Sequence, residues 1–228
     1  MTAENEASAG DFRVVVFADF VCPYSFLAVD QMDRLARAYD VKPLWRPHWL
    51  HPDTPPAGAV RERNADNAAR DERRHAWFME MAPEQYPRMH FPDKRQYSLL
   101  AFEAMEFAYD QGLDFQYKTA VYELMWAEGR DIGEVGTLTD AAERTGIDPA
   151  AMKCALDERL YAERAFSAVK QARELGITNT PTIFLGRTRI NGWTYDEVIE
   201  SVMEQQGIQP REAPGITSAT TCATPARP

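Results

Sequence analysis

The sequence predicts an α/β fold in which a βαβ unit and a ββα unit share one sheet, with a block of helices inserted between them. Three observations carry this. A β-branched strand signal near the start is followed by an amphipathic helix and a second extended run. The strand signal returns only after residue 180, as a hairpin followed by a helix. The long stretch between them shows helical periodicity and no strand.

In chain order, residues 1–11 are polar and expected to fray. Arg13-Val-Val-Val-Phe-Ala18 reads as a buried strand ending at Asp19. Cys22-Pro23 comes next. Proline suits the first turn of a helix, where its missing N–H has no partner to lose. Ala28, Met32, Leu35, Ala36 and Tyr39 then fall on one apolar helix face. Val41–Arg46 is the second extended run, and a strand–helix–strand of this length predicts a right-handed parallel unit.

Residues 52–74 are rich in Pro, Arg, Asp and Asn and predict a loop followed by a polar helix. The Arg61–Arg74 charge run reads as a solvated face of that helix. Pro83, Pro87 and Pro92 keep residues 82–95 out of regular helix. Helical patterns follow over Gln96–Gln111, Asp114–Glu128, Glu134–Thr145, and from Asp148-Pro149 toward Leu175 with a break. Thr182–Leu185, Gly186-Arg187 and Thr188–Ile190 form a hairpin signature. Thr194 with Glu197 predicts a capping box for a last helix that stops at Gly207. The Pro-, Ala-, Ser- and Thr-rich residues 209–228 predict a disordered tail. Residues 12–52 and 176–208 thus make the α/β domain, and 53–175 the loop and helical insertion.

Composition narrows the function. The chain has 228 residues, enough for a real core, and a formal net charge of −10. That charge repels phosphate backbones and anionic membrane surfaces, so neither nucleic acid nor membrane is an expected partner. No apolar run approaches the ~18 residues of a membrane span. The start, Met1-Thr-Ala-Glu-Asn-Glu-Ala-Ser8, lacks the pattern of a secretory signal, so a cytoplasmic location is expected. Three cysteines, Cys22, Cys154 and Cys222, are too few for a disulfide framework and include no Cys-x-x-Cys pair. His48, His51, His75 and His90 show no i, i+4 pairing, so no structural metal is expected. Monomer and homodimer both remain open.

Chemistry converges on Cys22, at a strand-to-helix junction. Unsatisfied N–H groups and the macrodipole of a helix start stabilise an anion. They are expected to draw the thiol below the usual value of ~8.5, toward ~3.5–7.5. Ser25 lies one turn on, where its hydroxyl can bond the Cys22 sulfur. The competing reading of Cys22 is a small buried residue that only packs. Pro181, preceded by Thr180 and followed by a strand, is a candidate cis peptide, although by itself an ordinary trans proline opening a strand fits better. Phe20, Tyr24, Trp45, Trp49 and Trp193 can line an aromatic pocket or simply fill the core. His48 is an acid–base candidate, weighed against a loop histidine. His51, His75 and His90 receive no role, and Cys154 reads as a helix-packing residue.

Taken together, Phe17-Ala-Asp-Phe-Val-Cys-Pro-Tyr-Ser25 and Thr178-Asn-Thr-Pro-Thr-Ile-Phe184 resemble the DsbA-like thioredoxin superfamily, and within it the FrnE-type oxidoreductases. Leu44-Trp-Arg-Pro-His-Trp-Leu-His-Pro52, the helical run Ser98–Leu156 and Gly192-Trp-Thr-Tyr-Asp-Glu197 resemble further pieces of that group, so the likeness spans residues 13–206. It implies a thioredoxin-like fold with a DsbA-like helical insertion. It also implies thiol–disulfide oxidoreductase activity, with Cys22 as nucleophile and a cis Pro181. The backbone of Thr180 would then present an edge to an extended thiol substrate. The expected substrate contacts are Phe20, Pro23, Tyr24, Trp45, His48, Thr180, Pro181 and Trp193. One departure matters: where the FrnE-type motif usually ends in a second cysteine, Ser25 stands. Cys22 can form a mixed disulfide but needs another thiol to release it, whether glutathione, another low-molecular-weight thiol, or Cys222 on the tail. No tightly bound cofactor is expected. Pro-Tyr-Ser-Phe-Leu-Ala28 also resembles the kappa-class glutathione transferases and 2-hydroxychromene-2-carboxylate isomerases. Those carry serine at the Cys22 position and act with glutathione on small molecules, here an aromatic one. Their Asp-Arg pair before the last helix is absent, Trp193-Thr-Tyr195 standing there. A third reading is a binding module that kept the groove and lost turnover.

Overall fold

The computed structural model describes residues 12–62 and 64–211. The expectations for residues 1–11, for most of the tail and for Cys222 fall outside the described residues.

Val14–Ala18 form β1, Pro23–Tyr39 α1 and Leu44–Pro47 β2, with β1 and β2 parallel and Val16 beside Trp45. Thr182–Leu185 (β5) runs antiparallel to β1, and Thr188–Asn191 (β6) antiparallel to β5, giving the sheet order β2-β1-β5-β6. The tight β5–β6 turn needs Gly186: its φ is +54°, and a Cβ there would collide with the Gln206 side chain. The central strand is buried on both faces. Val14, Val16 and Ala18 enter the main core, while Phe17, with Val15 beside it, packs on Ala172 and Ile177, as strand alternation requires.

Between β2 and β5 come a two-stranded hairpin, β3 (Ala59–Val60) with β4 (Lys94–Arg95), and helices α2 (Ala65–Met81), α3 (Leu99–Asp110), α4 (Asp114–Trp126), α5 (Val135–Arg144), α6 (Pro149–Asp157) and α7 (Ala162–Glu174). Asn64 caps α2 by accepting from the Asn67 N–H at 2.9 Å. The expected break after Pro149 falls at residues 158–161. There Arg159 takes φ +54° and donates through Nε to the fully buried Glu103 carboxylate at 2.8 Å, tying the break to α3. Ala165 and Val169 of α7 join the same core as Leu99–Ala108 of α3.

The last helix, α8 (Asp196–Gln205), corrects one expectation. Tyr195 is its N-cap, and no side chain closes a capping box. The Thr194 carbonyl instead accepts from Gln31 Nε2 at 2.8 Å, and that amide also donates to Asp196 at 2.7 Å. These bonds hold the start of α8 to α1. The two-residue strands β3 and β4 carry no sequence signal of their own; both lie in stretches read as loop.

Candidate active site

Everything at the site hangs on the turn Asp19–Cys22, between β1 and α1. Cys22 is the N-cap of α1 with Pro23 in its first turn, and its carbonyl accepts from the Ser25 and Phe26 amides at 3.1 and 3.2 Å. The Cys22 amide donates to the Asp19 carbonyl at 3.0 Å. The Asp19 carboxylate, fully buried, accepts from the Val21 amide at 3.2 Å and the Leu50 amide at 2.8 Å. It therefore fastens the Cys22 turn to the segment after β2. From behind, Tyr122 Oη donates to the Asp19 carbonyl at 3.2 Å and Trp126 Nε1 to the Phe20 carbonyl at 2.8 Å. Both donors sit on α4, so the helical block itself sets the turn.

Across from Cys22 lies the Thr178–Thr180 loop. The Thr180–Pro181 peptide is cis. Cys22 Sγ donates to the Thr180 carbonyl at 3.3 Å. Pro181 is buried behind Thr180, and its carbonyl accepts from the Gly192 amide at 2.7 Å. Cys22, Pro23, Tyr24 and Thr180 all line one groove of about 680 Å³. Ser25 is fully buried one turn from Cys22, and its Oγ completes no hydrogen bond of normal geometry; the same is true of Thr180 Oγ1.

The expectation of a lowered thiol pKa is corrected. Cys22 is only 4% exposed, and that burial pushes its thiol above the ordinary value. The nearby Thr180 and Ser25 groups and the Ser25 and Tyr24 amides at the helix start pull the other way without overcoming it. Helix-start stabilisation is present, but desolvation of a sulfur anion is the larger effect here.

Five of the expected contacts do not line the groove: the buried Pro181, and four that lie elsewhere. Phe20 and Trp45 point to the opposite side of the turn, where they line a separate small cavity of about 30 Å³ with Tyr122 and Lys118. Trp45 alternates with Arg46 along β2, so its direction is set by the strand. His48 is 6% exposed, its Nδ1 has no partner, and burial with the Arg173 charge lowers its pKa; it is not part of the groove wall. Trp193 stands behind the wall, in a row of rings running Tyr24–Trp77 (4.9 Å) and Trp77–Trp193 (5.5 Å). Trp49, the other aromatic considered, packs edge-on to Tyr97 at 5.9 Å.

In their place the groove recruits residues to which the sequence reading gave no role. His51 lines it, as do Arg61, Arg70 and Arg74 from the run taken as a solvated face, and Lys94 and Arg95 of β4. The available signal was the run itself, a concentration of arginine in an acidic chain.

With this geometry in place, comparison with known proteins is direct. The model of the DSBA-like thioredoxin domain matches residues 13–208. The chain belongs to the DSBA-like thioredoxin family. Among relatives of this family member, YwbO of Bacillus subtilis (strain 168), itself uncharacterized, is 29% identical over 200 residues, 85% of this chain and 96% of YwbO. The crystal structure of a probable DsbA oxidoreductase from Streptomyces coelicolor superposes with a TM-score of 0.74 at 18% identity, over 94% of this chain and all of that one. A 2-hydroxychromene-2-carboxylate isomerase superposes with a TM-score of 0.67 at 21% identity, over 85% and 94% of the two chains. Such likenesses fix the fold. The thioredoxin-like sheet with its DSBA-like helical block is the architecture of this family member.

Proposed function

We propose that this DSBA-like protein catalyses thiol–disulfide exchange through Cys22 alone, with a low-molecular-weight thiol such as glutathione completing the cycle. The observation that carries the proposal is the pairing of Cys22, at the base of a groove, with a buried Ser25 one turn away. Among the described residues, no second thiol lines that groove; Cys154 is exposed on α6.

The exchange balances without an outside oxidant. Cys22 loses its proton, and the thiolate attacks one sulfur of a disulfide R–S–S–R. The Cys22–S–S–R bond forms as the substrate S–S bond breaks, and RS⁻ leaves and is protonated. A second thiolate then attacks the mixed disulfide, restoring Cys22 and releasing the oxidised pair. Once the sulfur is an anion it no longer donates to the Thr180 carbonyl. The Ser25 and Thr180 hydroxyls, neither of which completes a hydrogen bond of normal geometry among the described residues, are the donors at hand for it. A substrate laid along Thr180 would meet a backbone edge beside the sulfur.

Incubation with oxidised glutathione followed by intact-mass measurement tests this. One glutathionyl group is expected on the Cys22 peptide, absent in Cys22→Ser. An unmodified Cys22 under conditions that modify the unfolded chain would sink the proposal.

A second reading is supported by the Cys22 thiol acting as a hydrogen-bond donor, to the Thr180 carbonyl at 3.3 Å, in a buried setting that raises its pKa. A thiol that stays protonated at neutral pH can donate to a bound glutathione sulfur, as a serine would, and serve a glutathione-dependent isomerase or transferase. Tight binding of reduced glutathione by the wild type and by Cys22→Ser, with no adduct, would favour it.

A further inference from the structure

The chain as a whole carries 35 acidic and 25 basic side chains, yet the groove beside Cys22 reverses that balance. Arg61, Arg70, Arg74, Lys94 and Arg95 line it, and among the described residues Glu62 is the one acidic side chain on its wall. Lys94 and Arg95 have their own counter-charges, Asp131 at 2.5 Å and Asp53 at 3.3 Å. Arg61, just before α2, and Arg74 on it share one counter-charge. Among the described residues, Asp71 alone serves both Arg61 at 3.1 Å and Arg74 at 2.8 Å. Arg74 Nε is buried with no hydrogen-bond partner, and its guanidinium is held over the Phe91 ring at 5.1 Å. Arg70, four residues before Arg74 and so on the same helix face, forms no ion pair among the described residues. Among the described residues Arg70 therefore carries an unpaired positive charge, while Arg61 and Arg74 divide the single charge of Asp71 between them. Arg74 lies close enough to Tyr24 for its charge to act on the phenol, and Tyr24 follows Cys22 by two residues.

We propose that Arg70 and Arg74, with Arg61 behind them, form an anion subsite that selects carboxylate-bearing small thiols and disulfides for Cys22. Planar guanidinium forks bind carboxylates in two-point fashion, which suits a carboxylate better than a diffuse charge. The groove volume of about 680 Å³ falls in the range of small-molecule clefts, roughly 300–1,000 Å³. A substrate with its sulfur at Cys22 and a carboxylate at α2 spans the groove. The assignment rests on the Cys22 reading above for the sulfur chemistry, but the subsite itself is testable without it.

Three symmetrical disulfides of different charge make the test: 3,3′-dithiodipropionate (dianion), bis(2-hydroxyethyl) disulfide (neutral) and cystamine (dication). The rate of mixed-disulfide formation on Cys22 is measured by mass for each and divided by the rate with the unfolded chain. At low salt the dianion is expected to exceed the neutral probe by about tenfold, with cystamine slowest. Arg70→Glu and Arg74→Glu lower that ratio, and 0.5 M salt narrows it, as about 1 M salt shortens screening to ~3 Å. A second arm omits sulfur: adipate binding to Cys22→Ser by calorimetry, expected to weaken at least fivefold in Arg74→Glu, a loss of roughly 1 kcal/mol. Adipate binding with no reaction from any disulfide would overturn the exchange reading and keep the subsite. Equal normalised rates for the three probes, or no adipate binding where no probe reacts, would overturn the subsite.

Discussion

Cys22 and Cys154 have thiols displaced in the same direction for opposite reasons. Cys22 is buried between α1 and the Thr180 loop, and the cost of desolvating its anion raises its pKa. Cys154 is exposed on α6. Glu158, whose carboxylate lies 3.7 Å from its sulfur, raises its pKa, with Asp157 adding to the effect. The difference teaches that exposure is not reactivity. An exposed thiol among carboxylates repels both its own proton loss and anionic reagents. A buried thiol loses its proton less readily because its anion is desolvated, whatever the charge of the groove it lines. The two shifts also answer to different perturbations, since charge effects on a surface are screened by salt and burial is not.

The largest break in this comparison comes from giving Cys22 a partner of its own. Ser25→Cys is expected to turn the site into a self-resolving pair: oxidised glutathione then removes two hydrogens from the chain instead of leaving a stable adduct. The mixed-disulfide lifetime should fall about tenfold or more, because the resolving thiol is already in place; mass spectra over time read this out. Next in size, Glu158→Gln should bring the pH at which Cys154 becomes alkylated by iodoacetamide down toward the ordinary thiol range. Cys22 in the same digest should not move, and should still gain reactivity at pH above the ordinary thiol range, since burial raises its pKa. Adding 0.5 M salt should act in the same sense as Glu158→Gln, with a smaller shift at Cys154 and none at Cys22. The smallest expected effect is Ser25→Ala, which removes one group that lowers the Cys22 pKa. The Cys22 alkylation profile should move slightly further up in pH, since the lost hydroxyl no longer favours the anion.

The sequence made the frame of the site legible and left its lining hidden. β1, the Cys22-Pro23 helix start, the β5–β6 hairpin and the helices α3 to α7 announce themselves by periodicity, turn residues and proline placement. These are local effects, and local sequence carries them. The lining depends on where distant elements dock. Arg61, Arg70 and Arg74 look like any solvated helix face until α2 is laid against the Cys22 turn. Phe20 and Trp45 sit next to site residues in sequence and face the other way in space. The sequence points to a lowered Cys22 pKa because the helix start is written in it, whereas the burial that raises the pKa is a property of the packed α4 and the Thr180 loop. The capping box at Thr194 failed similarly, when Gln31 of α1 claimed the Thr194 carbonyl.

Asp19 fastens the Cys22 turn to Leu50, and it also makes the fold sensitive to protons. Burial pushes its carboxyl up from 3.8 to about 6. Between those values the folded chain holds a proton that the unfolded chain has released. The Asp19 contribution to stability is therefore greatest below pH 3.8, declines as pH rises, and is level above pH 6. The full span is roughly 3 kcal/mol, the product of the shift and about 1.4 kcal/mol per pH unit. Urea unfolding of the wild type and Asp19→Asn between pH 4 and 7 should show that decline in the first and not in the second. The turn that presents Cys22 is in this sense a proton-uptake site of the native state, and neutrality is the condition under which it is held at greatest cost.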